Sequence, residues 1–381
     1  MTWGWAMTEL TLQAILQRHL ARYGRAHRLD SQRLKVCRHL LSCHTPALGG
    51  LRLQCDHCDR PTVVYHGCRD RHCPQCQMRA SRRWSERQQQ AVLPVTYYHV
   101  VFTLPHVLNA WVQLHPKVIY DRLFQCAWKT LKAFAADPKR LNGQLGMTAV
   151  LHTWGGNLSQ HVHLHCLVPG GALGPDRQWH AAKSSYLFPV RALSRHFRGA
   201  FVSALRQTVN EGLLHRVNDD AVSPLLDSLM AREWVVYSRH CLKHSESLIG
   251  YLARYSHRIA ISTQRLEQMD EHGITFRYRD YRNKESATLT LEVDEFIRRF
   301  LMHVLPQGFM RIRHYGFLAN RCREKALATI HSLLATPRKA VSREMTEVRE
   351  NPAWPCPFCR QGVLHVIERI RPRAMIKLQP G

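Results

Sequence analysis

No stretch of about 18 apolar residues occurs in the chain, so it offers no candidate for a membrane-spanning helix. The opening residues Met1-Thr2-Trp3-Gly4-Trp5 lack the basic-then-apolar layout of a secretory signal, and a cytoplasmic protein is expected. There is no Gly-x4-Gly-Lys-Ser/Thr loop, which removes P-loop nucleotide hydrolysis from consideration. Acidic residues are scarce: 28 Asp+Glu stand against 54 Lys+Arg, a formal net charge of +26. Self-repulsion at that charge is costly unless a polyanion relieves it. The expected partner is therefore a nucleic acid rather than a membrane surface.

What is present is ample for folding. The 381 residues are 45% hydrophobic, enough for two or three domains with real cores. Leu10, Leu12, Ile15, Leu16 and Leu20 recur at helical spacing and predict a helical arm, continued by a basic stretch through Val36. Gln77 to Ala91 reads as a basic helix, in which Arg82 and Arg83 are candidate DNA contacts. The run from Tyr97 to Leu104 predicts a strand stopped by Pro105, and Trp111 to Ala136 predicts a helix. Met147 to His152 and the run from Gln160 predict a hairpin about a loop with Gly155 and Gly156. Helix is expected over roughly 190 to 255, a strand over Arg258 to Ser262, and two short strands between Thr275 and Leu291. The sum is an α+β protein with a central antiparallel sheet. The division expected is 1–92 for a helical arm with a small zinc-binding, DNA-binding domain, 93–325 for a catalytic domain, and 326–381 for a polar tail carrying Cys356-x-x-Cys359.

Thirteen cysteines in a reducing compartment argue for metal rather than disulfides. Between Cys43 and Cys76 the composition turns to cysteine, histidine and turn formers, which cannot build an ordinary core, so a metal must organise it. Cys55-x2-Cys58 and Cys73-x2-Cys76, 14 residues apart, have the spacing of paired knuckles around one tetrahedral zinc. Cys43, Cys68 and His72 lie in the same window and leave a second zinc or another ligand set open. Cys356 and Cys359, with His365 nearby, make half a site and are not taken as one.

In the run Gln160 to Gly171, histidines occupy every second position of a strand, so His161, His163 and His165 share one face while Val162, Leu164 and Cys166 face a core. His163 and His165 then converge in front of the sheet, as two ligands of a divalent metal do. For a third ligand, His152 on the partner strand comes first, His161 second and Asn157 third. In Leu248 to Tyr255, Tyr251 and Tyr255 stand one helical turn apart on one face, beside Arg254. Arg311, Arg313 and His314 form a basic segment suited to DNA, and Phe309, Tyr315 and Phe317 are aromatic platforms for unpaired bases, with core packing the stronger role for Phe317.

His163-Leu164-His165 together with Tyr251 and Tyr255 resembles the HUH endonucleases. More closely, the chain resembles the rolling-circle, two-tyrosine transposases of the insertion sequence ninety-one family. The likeness runs through the cysteine-rich segment, His99 to Pro105, His152-Thr153-Trp154-Gly155, the histidine motif with Pro169-Gly170-Gly171, the tyrosine helix, and Arg311 to Asn320. The family often has proline where Val162 stands. The resemblance implies an HUH-type catalytic domain that nicks and transfers single-stranded DNA, the ends of the element and its target, through a 5′-phosphotyrosine link. It also implies Mg2+ or Mn2+ at the histidine motif and Zn2+ in the N-terminal domain. A replication initiator or relaxase with the same chemistry, a non-catalytic zinc DNA-binding regulator and a hydrolytic nuclease are the alternatives at this point.

Overall fold

The structure is a computed structural model, and it describes residues 10–78, 80–81, 92–182, 186–241, 259–280, 285–334 and 354–373. Two helices open it. Helix α1 (Leu12–Ala26) is capped by the Thr11 side chain, which accepts from the Ala14 amide at 3.1 Å, and α2 (Ser31–Ser42) by Asp30, which accepts from Arg33 N at 2.8 Å. A cysteine-rich segment follows with strands β1 (Gly50–Cys55) and β2 (Pro61–Tyr65). Then come β3 (Tyr97–Thr103), β4 (Gly146–Trp154), β5 (Gln160–Pro169), the small hairpin β6 (Gly171–Leu173) and β7 (Trp179–Ala181), and β8 (Val236–Cys241). Strands β9 (Leu266–Asp270), β10 (Gly273–Arg279), β11 (Ser286–Leu291), β12 (Ile312–Gly316), β13 (Trp354–Pro355) and β14 (Val363–Ile370) complete the set.

Strands β12, β4, β5, β3 and β8, in that spatial order, form a five-stranded sheet in which every pairing is antiparallel. The alternation of β5 decides its two faces. Val162, Leu164 and Cys166 point back with Val100, Phe102, Ala149 and Leu151, and meet Ile119, Leu123 and Phe124 of helix Pro116–Ala136 and Phe197 and Phe201 of helix Val190–Asn210. Leu164 has no exposure. Leu164→Ala is expected to lower stability by about 2–5 kcal/mol through lost burial and a residual cavity. A shifted denaturant midpoint at unchanged slope would show it.

A second core lies on the other side of the chain's organisation. Leu12, Ile15, Leu16 and Leu20 of α1 pack with Ile274 and Phe276 of the three-stranded sheet β11-β10-β9, and with Phe296, Ile297 and Phe300 of helix Val293–Met302. Trp154 and Leu158, at the tip of the β4–β5 hairpin, enter the same core. The apolar stripe of the helical arm is therefore buried on strands from the later part of the chain.

Other departures have local causes. The expected helix from Trp111 breaks into Asn109–Leu114 and Pro116–Ala136, since Pro116 has no amide hydrogen and begins the second helix. Within the stretch expected to be helical, Val236–Cys241 instead forms β8 and pairs with β3, as suits the β-branched and aromatic run Trp234-Val235-Val236-Tyr237. Residues 259–262 are not a strand: Ala260 and Ile261 are buried in the second core as coil, and the Ala260 carbonyl accepts from Arg265 at 3.0 Å. The polar tail also rejoins the fold. Strand β14 pairs with β1 along Gly50↔Ile370 to Cys55↔Leu364, giving the sheet order β13-β14-β1-β2. Among the described residues no helix is long and apolar enough to cross a membrane.

Candidate functional site

Register places the histidines. His152 of β4 lies opposite His163 of β5, and directly opposed residues of antiparallel strands share a face. Val150 and Val101 flank His165 on either side. His152, His163 and His165 thus stand together, with one ring nitrogen from each lying within 4.8 Å of the others. Ring centroids are 4.4 Å apart for His152 and His165, 4.7 Å for His163 and His165, and 5.4 Å for His152 and His163. His152 is buried at the base of the group while His163 and His165 are half-buried, so the open side faces outward.

In two of the three the second ring nitrogen is fixed by the protein. Nδ1 of His163 donates to the His161 carbonyl at 2.8 Å, which leaves Nε2 as the lone-pair nitrogen. Nδ1 of His165 is 2.8 Å from Nε2 of His99, and the two rings stack at 5.0 Å. Burial pulls His99 down to about 4, so it is neutral at pH 7 and serves as a hydrogen-bonding partner rather than a charge. The role of His99 was not read from the sequence. Its signal was there: a histidine in an otherwise apolar strand, two positions from Val101.

The other candidates for a third ligand are otherwise engaged. His161 lies outside the three-histidine group and stacks on His106 at 5.3 Å. The Asn157 side-chain oxygen accepts from Ser159 N at 3.1 Å and so closes the hairpin loop.

Among the described residues eight of the cysteines form two groups of four, and neither is the paired knuckle expected from spacing. Cys73 and Cys76 join Cys43 and Cys68, whereas Cys55 and Cys58 join Cys356 and Cys359. Knuckle spacing supplies two ligands at a time and does not say which pair completes the shell. In the first group Sγ atoms lie 3.5 Å (Cys43 to Cys73), 3.6 Å (Cys43 to Cys76) and 3.8 Å (Cys68 to Cys76) apart. A tetrahedral thiolate site with Zn–S of about 2.3 Å has edges of about 3.8 Å, so the set fits zinc. His72 is a strut instead of a ligand. Its Nδ1 donates to Asp70 at 2.9 Å and its Nε2 accepts from Leu305 N at 3.2 Å, so both ring nitrogens are used. His365 likewise bonds Asp56, at 3.2 Å.

Two candidate DNA contacts turn inward. Arg311 is 8% exposed, and burial lowers its pKa to about 10. Arg313 pairs with Asp121 at 2.5 Å and lies over the Phe124 ring at 4.2 Å. Phe309 and Phe317 are core residues, and Tyr315 stacks on Trp128 at 5.4 Å. Tyr251, Tyr255, Arg254, Arg82 and Arg83 lie outside the described residues.

Comparison with known proteins bears on these groups. A family model described as "Putative transposase" matches residues 146–326, which hold the three histidines. One described as "Transposase zinc-binding domain", of the IS91 type, matches residues 15–104. "Putative transposase y4qJ" of Sinorhizobium fredii is 40% identical over 370 residues, covering 91% of this chain and 93% of that protein. The chain belongs to the IS91 family of transposases. "Transposase for insertion sequence element IS801" of Pseudomonas savastanoi pv. phaseolicola is 29% identical over 311 residues, 78% of this chain and 73% of that protein. No solved structure matches the chain significantly. Membership in this transposase family makes DNA the partner. The N-terminal region is a zinc-binding domain, whose match spans all of Cys43, Cys68, Cys73 and Cys76 but only Cys55 and Cys58 of the second group.

Proposed function

We propose that this transposase works by a rolling-circle route, nicking and rejoining single-stranded DNA through a 5′-phosphotyrosine link. His152, His163 and His165 hold a divalent ion, Mg2+ or Mn2+, and Tyr251 and Tyr255 are the nucleophiles. The observation that carries the reading is the convergence of three imidazoles on one sheet face, with the Nδ1 of two of them already occupied. Bound there, the ion supplies Lewis-acid polarisation of the scissile phosphate and neutralises its developing charge.

The chain's own residues do the rest. A tyrosine oxygen attacks phosphorus in line, the P–O bond to the upstream sugar breaks, and a free 3′-hydroxyl leaves. One phosphodiester is exchanged for another, so the step needs no nucleotide hydrolysis, consistent with the missing P-loop. Two tyrosines let one hold the leading end while the other cleaves the trailing end. Arg82, Arg83 and Arg254 supply phosphate contacts in this scheme. Arg311, which is 8% exposed, is not given that role, and Arg313 would meet a phosphate while paired with Asp121.

The test is denaturing electrophoresis of the purified protein after incubation with labelled single-stranded DNA carrying an element end, in manganese or in EDTA. A manganese-dependent covalent adduct is expected for the wild type and none for the Tyr251→Phe, Tyr255→Phe double variant. Binding without an adduct on several end sequences would overturn the reading in favour of a regulator. Cleavage without an adduct would replace it with a hydrolytic nuclease.

A further inference from the structure

Cys356 and Cys359 lie outside the zinc-binding match, at the far end of the chain from Cys55 and Cys58, yet the fold brings the four thiols together. Cys55 Sγ is 3.7 Å from Cys359 Sγ and Cys58 Sγ is 3.8 Å from Cys356 Sγ. These separations equal the edge of a tetrahedral zinc–thiolate site, about 3.8 Å, and are far beyond the roughly 2.05 Å of a disulfide. We propose that Cys55, Cys58, Cys356 and Cys359 hold a second zinc ion, which closes the two ends of this chain into one zinc ribbon.

The backbone on the two sides is the same device built twice. Asp59 follows Cys58 at φ 56 and its amide donates to the Cys55 carbonyl at 3.2 Å. Arg360 follows Cys359 at φ 60 and its amide donates to the Cys356 carbonyl at 3.1 Å. Left-handed backbone is uncommon outside glycine. Of the seven such residues in the described chain, four directly follow a clustered cysteine: His44 and Arg69 in the first group, Asp59 and Arg360 in the second. The second group thus shares with the first a left-handed residue directly after a cysteine.

Backbone amides also aim at the sulfurs: His57 N donates to Cys55 Sγ and Gly362 N to Cys359 Sγ, each at 3.4 Å, as in cysteine turns wrapped around a metal. Gly362 has no room for a side chain, since an added Cβ would stand 2.5 Å from Cys55 Sγ and 2.6 Å from Asp56 Oδ1. Asp56 binds the two turns together by accepting from Val363 N at 2.7 Å.

Among the described residues the apolar core of this sheet is small. Its core consists of Leu53 and Leu364 with Cys55 and Cys356, while Val63, Val64, Val366 and Ile367 are exposed. Leu53, Leu364 and the partly buried Leu51 bury too little apolar surface to offset the entropy of ordering the strands around them, whereas a structural zinc contributes folding energy outright.

The experiment compares full-length wild type with the Cys356→Ser, Cys359→Ser variant, both desalted in excess magnesium, by elemental mass spectrometry. The difference between the two is read, so zinc held elsewhere cancels. A loss of one zinc equivalent per chain is expected. Should the variant fail to fold, wild-type protein is alkylated with iodoacetamide and mapped by peptide mass spectrometry. Cys58 and Cys359 are partly exposed, so burial alone would not shield them, and protection that disappears on chelation is expected at all four positions. Equal zinc in the two proteins, iron in place of the lost zinc, or Cys58 and Cys359 alkylating equally with and without chelator would overturn the proposal.

Discussion

Replacing His163 and His165 together by alanine is expected to lower single-turnover nicking by about a thousandfold or more with little change in fold. The size follows from losing several kcal/mol of charge stabilisation at the scissile phosphate, at about 1.4 kcal/mol per factor of ten. The fold is spared because both imidazoles lie on the half-buried face of β5, and the alternate residues Val162, Leu164 and Cys166 keep the core. His99→Ala makes the useful contrast. It removes the 2.8 Å partner of His165 Nδ1 without removing a ligand. Loss of such a supporting bond typically costs 10- to 100-fold in metal affinity, so raising manganese should restore the rate of this variant and leave the double-alanine variant inactive. Wild-type nicking by the double-alanine variant would end the metal assignment, and failure of manganese to rescue His99→Ala would end the supporting role.

The second large effect is on folding. Cys73→Ser, or chelation at the first cysteine group, is expected to melt the N-terminal half of the second core. Cys43 and Cys73 are 2% exposed and are packed in the same cluster as Leu12, Ile15, Leu16 and Leu20. Removing the ion leaves four thiols, two of them buried, with no partner of comparable strength, against a binding contribution of about 10 kcal/mol or more. Because Trp154 and Leu158 of the histidine hairpin enter that core, DNA nicking should fall along with helicity even though no histidine is changed. Circular dichroism and limited proteolysis on zinc-loaded and chelated protein would measure it. A Cys73→Ser protein that melts with the wild type would remove zinc from the stability of this module.

How much was legible depended on how local each signal was. The two faces of β5 were readable because alternation with period two is written in consecutive residues, and β3 was readable as an apolar, β-rich run stopped by Pro105. The placement of His152 followed from hairpin register, which a short loop constrains. The α+β class followed from these elements. By contrast, the sharing of cysteines between groups depends on contacts some 300 positions apart, as in Cys55 with Cys359, and no spacing rule reaches that far. The inward turn of Arg313 was hidden for a similar reason: its Asp121 partner sits on a helix in another part of the chain. Val236–Cys241 was misread because a short apolar run after two helices carries no period of its own.

The pairing of β1 with β14, Gly50 against Ile370, sets an order of events during synthesis. At roughly 5–20 residues per second, the ribosome needs about 15–60 s to make the chain between the two halves of that sheet. For that interval Cys55 and Cys58 are a bare thiol pair on a hairpin whose strand β1 is paired with β2 on one side only, while the first cysteine group, complete by Cys76, can already close. A product cut short before Cys356 would contain every histidine of the proposed metal site and still display an open strand edge, the kind of surface that invites aggregation and proteolysis. Completion of the ribbon thus marks a chain synthesised through β14.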